Sequence, residues 1–309
     1  MAYYLVQHKL DTARPSYLHE QTALPSDPCD GVLNEKSTRG RKRSLARRPS
    51  GDSYFEHGND LPSSPNAKSL FDEAKKLGVD ISVGFAERTA SGEGYNTSVY
   101  FSAKKEEIIA KYRKVHLPGT KEPFENPDAV NQLEKRYFQP GNLGFKAFRT
   151  PDLVPDALKK GDGKAEQGRG DPIMGMMICN DRRWAEGWRC YGLQGVEVVL
   201  CGYNTAGFAP DLWGTRKPMT PEEAERDAVF HHKLVMQGNS YMNSCFSVSA
   251  AKAGMEDGKG KGDEIVFAEV DLEDCRQGKE KTFDFDRHRR IDQYGPITTQ
   301  TGVVEPELL

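Results

Sequence analysis

Between residues 66 and 254, short apolar runs of strand length alternate with stretches whose apolar residues recur every three to four positions. No other feature constrains the chain as much. Each run must bury a face, and an α/β protein with helices laid over a sheet does this for all of them. NAKSLFDEAKKLG (66–78) brings Leu70, Phe71, Ala74 and Leu77 to one helical face and ends on Gly78, a residue suited to the position after a helix. VDISVGFAE (79–87), YNTSVYFSA (95–103), PIMGMMIC (172–179), VEVVLCGY (196–203) and SCFSVSAAKAG (244–254) read as strands. EEIIAKYRKVHLPG (106–119) reads as a strand running into a Pro-Gly turn. RCYGLQG (189–195) reads as a short helix, and 220–243 as a long one opened by a capping box at Thr220 and Glu223. Residues 151–171 have no period and several Gly and Pro, the texture of an inserted surface loop.

The first 52 residues break this texture. They hold Pro15, Pro25, Pro28 and Pro49, no persistent period, and the basic run KSTRGRKRSLARR (36–48). That run would suit nucleic acid or nuclear import. Nothing aromatic accompanies it, however, and a net charge of −3 gives no general pull towards nucleic acid or membrane. The expectation is a disordered or non-homologous segment over 1–52, no nucleic-acid partner, and a domain over 53–295 followed by a tail, 296–309. A mean hydropathy of −0.70 fits a chain part of which stays out of the core. No run approaches the roughly 18 apolar residues of a membrane-spanning helix, and MAYYLVQHKLDTARP lacks a secretory pattern. The six cysteines, at 29, 179, 190, 201, 245 and 275, show no CxxC spacing. This argues against a zinc site or a disulfide framework and for the cytoplasm.

Three stretches carry chemistry. In MGMMICNDRRW (174–184) an apolar strand delivers Cys179 into Asn180, Asp181, Arg182, Arg183 and Trp184. A structural cysteine has apolar neighbours on both sides; a thiolate is stabilised where a strand meets basic groups. In KYRKVHLPG (111–119), alternation puts Lys114 on the same face as Tyr112, and a buried lysine is expensive unless paired. NQLEKRYFQPG (131–141) sets Glu134 among aromatics before a second Pro-Gly turn. Singly these are weak: the cysteine could be structural, the lysine solvated, the glutamate a helix-surface acid.

Together, IIAKYRKVHLPG, LEKRYFQPG, MGMMICNDRRW and GYNT (202–205) closely resemble the nitrilase superfamily of carbon–nitrogen hydrolases, and within it the N-carbamoyl-D-amino-acid amidohydrolase branch. The resemblance covers Ser53 to Tyr294. It implies a four-layer α-β-β-α sandwich and a homo-oligomer that acts on a carbamoyl or amide substrate without metal or organic cofactor. It implies that Cys179 is the nucleophile and that Lys114 stabilises the oxyanion beside the Asn180 backbone N–H. Glu134 would position the lysine, with His116 beside the site. Arg182 and Arg183 would meet a substrate carboxylate, Asn204 and Thr205 would contact substrate, and His231 would lie near the pocket on its helix; a buried histidine satisfied by a backbone carbonyl is the plainer alternative for His231. Cys179 would attack the ureido or amide carbon, ammonia would leave, and water would hydrolyse the acyl-enzyme. Gln132 stands where the carbamoylase pattern often has His.

Two parts of the family pattern are not found. The general-base glutamate, expected after an early apolar strand, has no match in residues 1–52, where Glu20 and Glu35 follow no such strand. The first strand–helix–strand unit is replaced by unrelated sequence, and a β-hairpin is missing after AAKAGMEDG (250–258). The resemblance therefore implies impaired activity. The alternatives are a non-catalytic homologue, or a superfamily amidase with another pocket, such as an aliphatic amidase or a carbamoylputrescine amidase.

Overall fold

A computed structural model describes residues 4–7, 55–126, 129, 131–150, 153–154, 171–203, 219–251 and 266–306. Strand β1 (Tyr4–Gln7) and the two-residue β2 (Glu56–His57) flank β3 (Asp80–Arg88), which pairs with β4 (Gly94–Ser102) and through it with β5 (Glu107–Arg113). This five-stranded sheet is antiparallel except for the β2–β3 pair. A second sheet has the order β6 (Phe148–Arg149), β7 (Ile173–Ile178), β8 (Val198–Tyr203), β9 (Phe246–Ala251), with β7, β8 and β9 parallel. Helix α1 (Lys68–Leu77) precedes β3; α2 (Glu134–Tyr137) is a single turn; α3 (Ala185–Leu193) joins β7 to β8; α4 (Pro221–Asn243) leads into β9.

Side-chain alternation stacks these pieces into four layers. Phe71 and Ala74 of α1 cover Ile81, Val83, Val99 and Phe101 on the outer face of the first sheet. Tyr100 and Tyr112, one position on, point inward and meet Met174, Met176, Ile178, Val198 and Leu200 of the second sheet. Met177, Val199 and Cys201 face outward again, under Trp188 and Tyr191 of α3 and Met236 of α4. The period of two along each strand thus separates three cores, and the order helix, sheet, sheet, helix is the α-β-β-α sandwich that the resemblance implies.

Most expected elements stand within two residues of their sequence limits, and three differ. Residues 1–52 do contain a strand: Tyr4–Gln7 runs antiparallel to β3, with Tyr4 opposite Val83 and Gln7 opposite Asp80. Four residues are too few to show a period. Strand β5 ends at Arg113, not in the Pro118-Gly119 turn: Lys114 N still donates to the Asn96 carbonyl of β4 (2.8 Å), but His116 N turns away to the Asp181 carboxylate (2.8 Å). Helix α3 starts at Ala185, directly after the turn that follows β7. Of the proposed loop 151–171 only residues 153, 154 and 171 are described, and the place of the missing hairpin after residue 258 lies outside the described residues.

An ion cluster secures the outer face of the first sheet. Glu87, 2% exposed, accepts from Arg113 Nε (2.8 Å) and Nη2 (3.0 Å), Lys111 Nζ (2.9 Å) and Thr97 Oγ1 (2.7 Å). Burial alone would raise its pKa, but these donors outweigh it and bring the carboxyl from 4.5 down to about 2. Folding lowers this pKa, so the stabilisation is complete above the unfolded value and disappears as pH falls through the folded one. Denaturant midpoints measured from pH 5 to pH 2 are expected to show a loss on the order of 3 kcal/mol from this group. Glu87→Gln is expected to flatten the curve over that window.

Candidate active site

Strand β7 ends at Ile178, and Cys179 opens a 3-10 turn, Cys179–Arg183, at the carboxyl end of the parallel strands. Cys179 sits at φ 50°, a left-handed conformation that costs a non-glycine residue about 1–2 kcal/mol. Its surroundings hold it there. Arg182 Nη1 donates to the Cys179 carbonyl (2.7 Å) and lies 3.8 Å from Cys179 Sγ. The Arg182 carbonyl accepts from Trp188 Nε1 (2.9 Å), which ties the turn to α3.

Asp181, fully buried, clips this turn to the opposite sheet. One carboxylate oxygen accepts from Tyr112 OH of β5 (2.8 Å) and from Ile178 N (3.2 Å). The other accepts from His116 N (2.8 Å) and pairs with His116 Nδ1 (2.9 Å), so that nitrogen carries a proton. The His116 ring stacks on Trp184 at 4.6 Å and 7°, and Asn180 Nδ2 donates to the His116 carbonyl (3.2 Å).

Lys114 continues the inward face of β5 and is 2% exposed. Its Nζ donates to Glu134 Oε1 (2.8 Å) and Oε2 (2.7 Å). Glu134 opens the one-turn helix α2 and is 7% exposed. Both Pro-Gly turns serve this pair. Gly119, at φ 70°, lets Thr120 N reach the Gln132 carbonyl (3.0 Å), where a Cβ would fall 1.9 Å from that oxygen. Gly141 N donates to the Lys114 carbonyl (2.7 Å), and a Cβ there would stand 2.0 Å from the Arg113 oxygen. Burial pushes the Lys114 pKa down, but the charges of Cys179, Glu134 and Asp181 outweigh it and raise the pKa. Lys114 is thus held as an ammonium, and its charge couples to Cys179.

The structure thus brings Cys179, Lys114, Glu134, His116, Asn180 and Arg182 together. Arg183 is exposed beside them and interacts electrostatically with Cys179. It does not bring His231 in: that side chain is 54% exposed on α4 and bonds the Asp227 carbonyl (2.9 Å). Asn204 and Thr205 lie outside the described residues. A cleft of about 430 Å³, its open mouth included, runs between the sheets beside this group; Asn96 and Ser98 line one wall, Leu200 and Gly202 the other. A buried ammonium, a backbone-tethered cysteine and two guanidiniums are suited to attack on a carbonyl carbon and to the charge that develops on its oxygen.

Sequence reasoning missed three contributors. Asn96 donates to Glu134 Oε1 (2.6 Å) from 38 positions away. Asp181 was visible inside the cysteine motif, but its partner Tyr112 comes from the other sheet. His232, not His231, faces the site: its ring stacks on Tyr203 (4.6 Å), and burial with the Arg182 and Arg183 charges pushes its pKa down to about 4. Helical spacing turns adjacent residues by roughly 100°, so a doublet of histidines cannot be assigned from sequence.

The chain and its fold have counterparts among known proteins. The carbon-nitrogen hydrolase family profile matches residues 49–280. The chain belongs to that family. It is similar to an N-carbamoylputrescine amidase from Solanum lycopersicum, 28% identical over 205 residues, covering 66% of this chain and 54% of the relative. The chain thus spans about half the length of that relative. It is also similar to an N-carbamoylputrescine amidase from Arabidopsis thaliana, 25% identical over 279 residues, covering 81% of this chain and 79% of the relative. A carbon-nitrogen hydrolase structure from Helicobacter pylori G27 shares the fold at a TM-score of 0.56 and 23% identity, covering 78% of this chain and 79% of the other.

Asp181→Ala leaves buried donors from both sheets unanswered and is expected to destabilise the protein by about 3–5 kcal/mol. Tyr112→Phe, which removes one donor, is expected to cost about 1 kcal/mol. Chemical denaturation of the two variants checks both.

Proposed function

We propose that the chain hydrolyses the carbamoyl C–N bond of a carboxylate-bearing substrate, an N-carbamoyl amino acid, through a covalent intermediate on Cys179. The observation that carries this reading is the buried Lys114–Glu134 pair, bonded through both carboxylate oxygens, with the ammonium acting on Cys179. The sulfur attacks the ureido carbon, and Lys114 holds the oxyanion. The C–NH2 bond breaks, and the departing nitrogen takes the proton that the Cys179 thiol gave up and leaves as ammonia. Water then cleaves the thioester, and the carbamic acid decomposes to carbon dioxide and the amino acid. The relatives, N-carbamoylputrescine amidases by name, support a carbamoyl group as the unit attacked. Arg182 and Arg183 favour a carboxylate over an ammonium elsewhere on the substrate, since two guanidiniums repel a cation.

Turnover is slow in this proposal. The two carboxylates described at the site are both engaged: Glu134 with Lys114 and Asn96, Asp181 with Tyr112, Ile178 N and His116. Neither stands ready to take a proton from Cys179 or water, and a lost acid–base group costs roughly 10²–10⁴-fold in rate. We place the enzyme in the cytoplasm as a homo-oligomer. The five described cysteines form no disulfide, and Phe230, Leu234 and Tyr241 are exposed along one side of α4. Among the described residues no helix is long and apolar enough to cross a membrane.

Ammonia release from N-carbamoyl amino acids by the purified chain is the direct assay. Slow release that Cys179→Ala abolishes is expected. Arg183→Glu is expected to raise KM for carbamoyl amino acids at least tenfold and to leave N-carbamoylputrescine less affected. No release from a folded protein would favour a non-catalytic homologue.

A further inference from the structure

Asn96 touches both halves of the lysine–glutamate pair. It lies on the inward face of β4, where Lys114 N donates to its carbonyl oxygen (2.8 Å). Its side-chain Nδ2 donates to Glu134 Oε1 at 2.6 Å, the same oxygen that Lys114 Nζ meets at 2.8 Å. Only the amide NH2 can face a carboxylate, so the orientation of the Asn96 side chain is settled by its partner. Oε2 of Glu134 bonds Lys114 alone among the described residues, at 2.7 Å. A carboxylate held by one flexible ammonium can rotate and translate with it; a second donor on one oxygen from a sheet position removes that freedom. Asn96 also lines the cleft between the sheets, and no charged side chain shares that lining.

We infer that Asn96 is a positioning residue: its backbone sets where Lys114 leaves the sheet, and its amide fixes the glutamate that aims the lysine at Cys179. This rests on the reading of Cys179, Lys114 and Glu134 as the reacting group. A hydroxyl, a hydrocarbon and a carboxylate at position 96 then differ in a way packing alone does not explain. Asn96→Leu removes the donor. Asn96→Asp sets a second carboxylate against Glu134 at neutral pH, yet once protonated at lower pH it offers an O–H donor in the same place.

The test is the rate of Cys179 alkylation by iodoacetamide against pH in the full chain, with Cys179→Ala as the blank for the other cysteines. It needs no turnover, so it stands even if ammonia release fails. Asn96→Leu is expected to lower the rate at neutral pH about tenfold, the loss of one charge-assisted hydrogen bond. Asn96→Asp is expected to lower it at neutral pH and to move the inflection of the pH profile upward by about one unit. Wild-type profiles in both folded variants would overturn the inference. Should either variant fail to fold by circular dichroism, Asn96→Ser is read instead: a wild-type profile there overturns the inference, and a slowed and shifted one supports it.

Discussion

The bonding of Lys114 to Glu134 is the interaction on which the rest of the site depends. An ammonium 2% exposed at the end of a β-strand would be untenable alone, and a carboxylate 7% exposed hardly less so. Each makes the other possible, and together they place a fixed positive charge beside a cysteine. The surrounding architecture reads as support for that charge. Two Pro-Gly turns bring the Glu134 helix back against β5, and β4 supplies a carbonyl to one partner and an amide to the other. The Glu87 cluster anchors Arg113, the residue just before the lysine, on the opposite face of the same strand. With Lys111 and Arg113 bound outside to Glu87, and Tyr112 and Lys114 bound inside to Asp181 and Glu134, this end of the strand has little freedom to twist.

The second sheet contributes the proposed nucleophile by a different device. Cys179 leaves β7 in a left-handed conformation, and Arg182 folds back onto its carbonyl. The strain is local and the restraint is shared: the turn is held by α3 through Trp188 and by β5 through Asp181. One arginine of the doublet is therefore structural in its contacts, while its exposed neighbour Arg183 extends the positive field outward. The sequence presents them as equals, ICNDRRW, and the fold divides them.

How much of this was legible follows from range. Strand identity, helix faces and the Thr220 capping box depend on residues within a few positions of each other, and their limits stand close to expectation. The candidate cysteine, lysine and glutamate could be picked out because each sits in a short, unusual context. What could not be read was long-range or subtle. Nothing marks an asparagine in YNTS as the partner of a glutamate 38 residues later. Asp181 has its meaning only once Tyr112 arrives from the other sheet. The strand at Tyr4–Gln7 is too brief to show a pattern, and one step along a helix separates exposed His231 from His232.

Asp181 joins a tyrosine of one sheet to a backbone amide of the other, and this has a consequence for assembly. Each sheet can form its hydrogen-bonded ladder on its own, and neither then contains a reactive centre: the first holds the ammonium, the second the thiol. The pairing of the Lys114 ammonium with Cys179 is thus a property of the docked pair and of neither half. A partly folded chain with both sheets formed but apart would leave Cys179 without the Lys114 charge, so under the proposed mechanism one sulfur atom would report whether the two halves of the molecule have met.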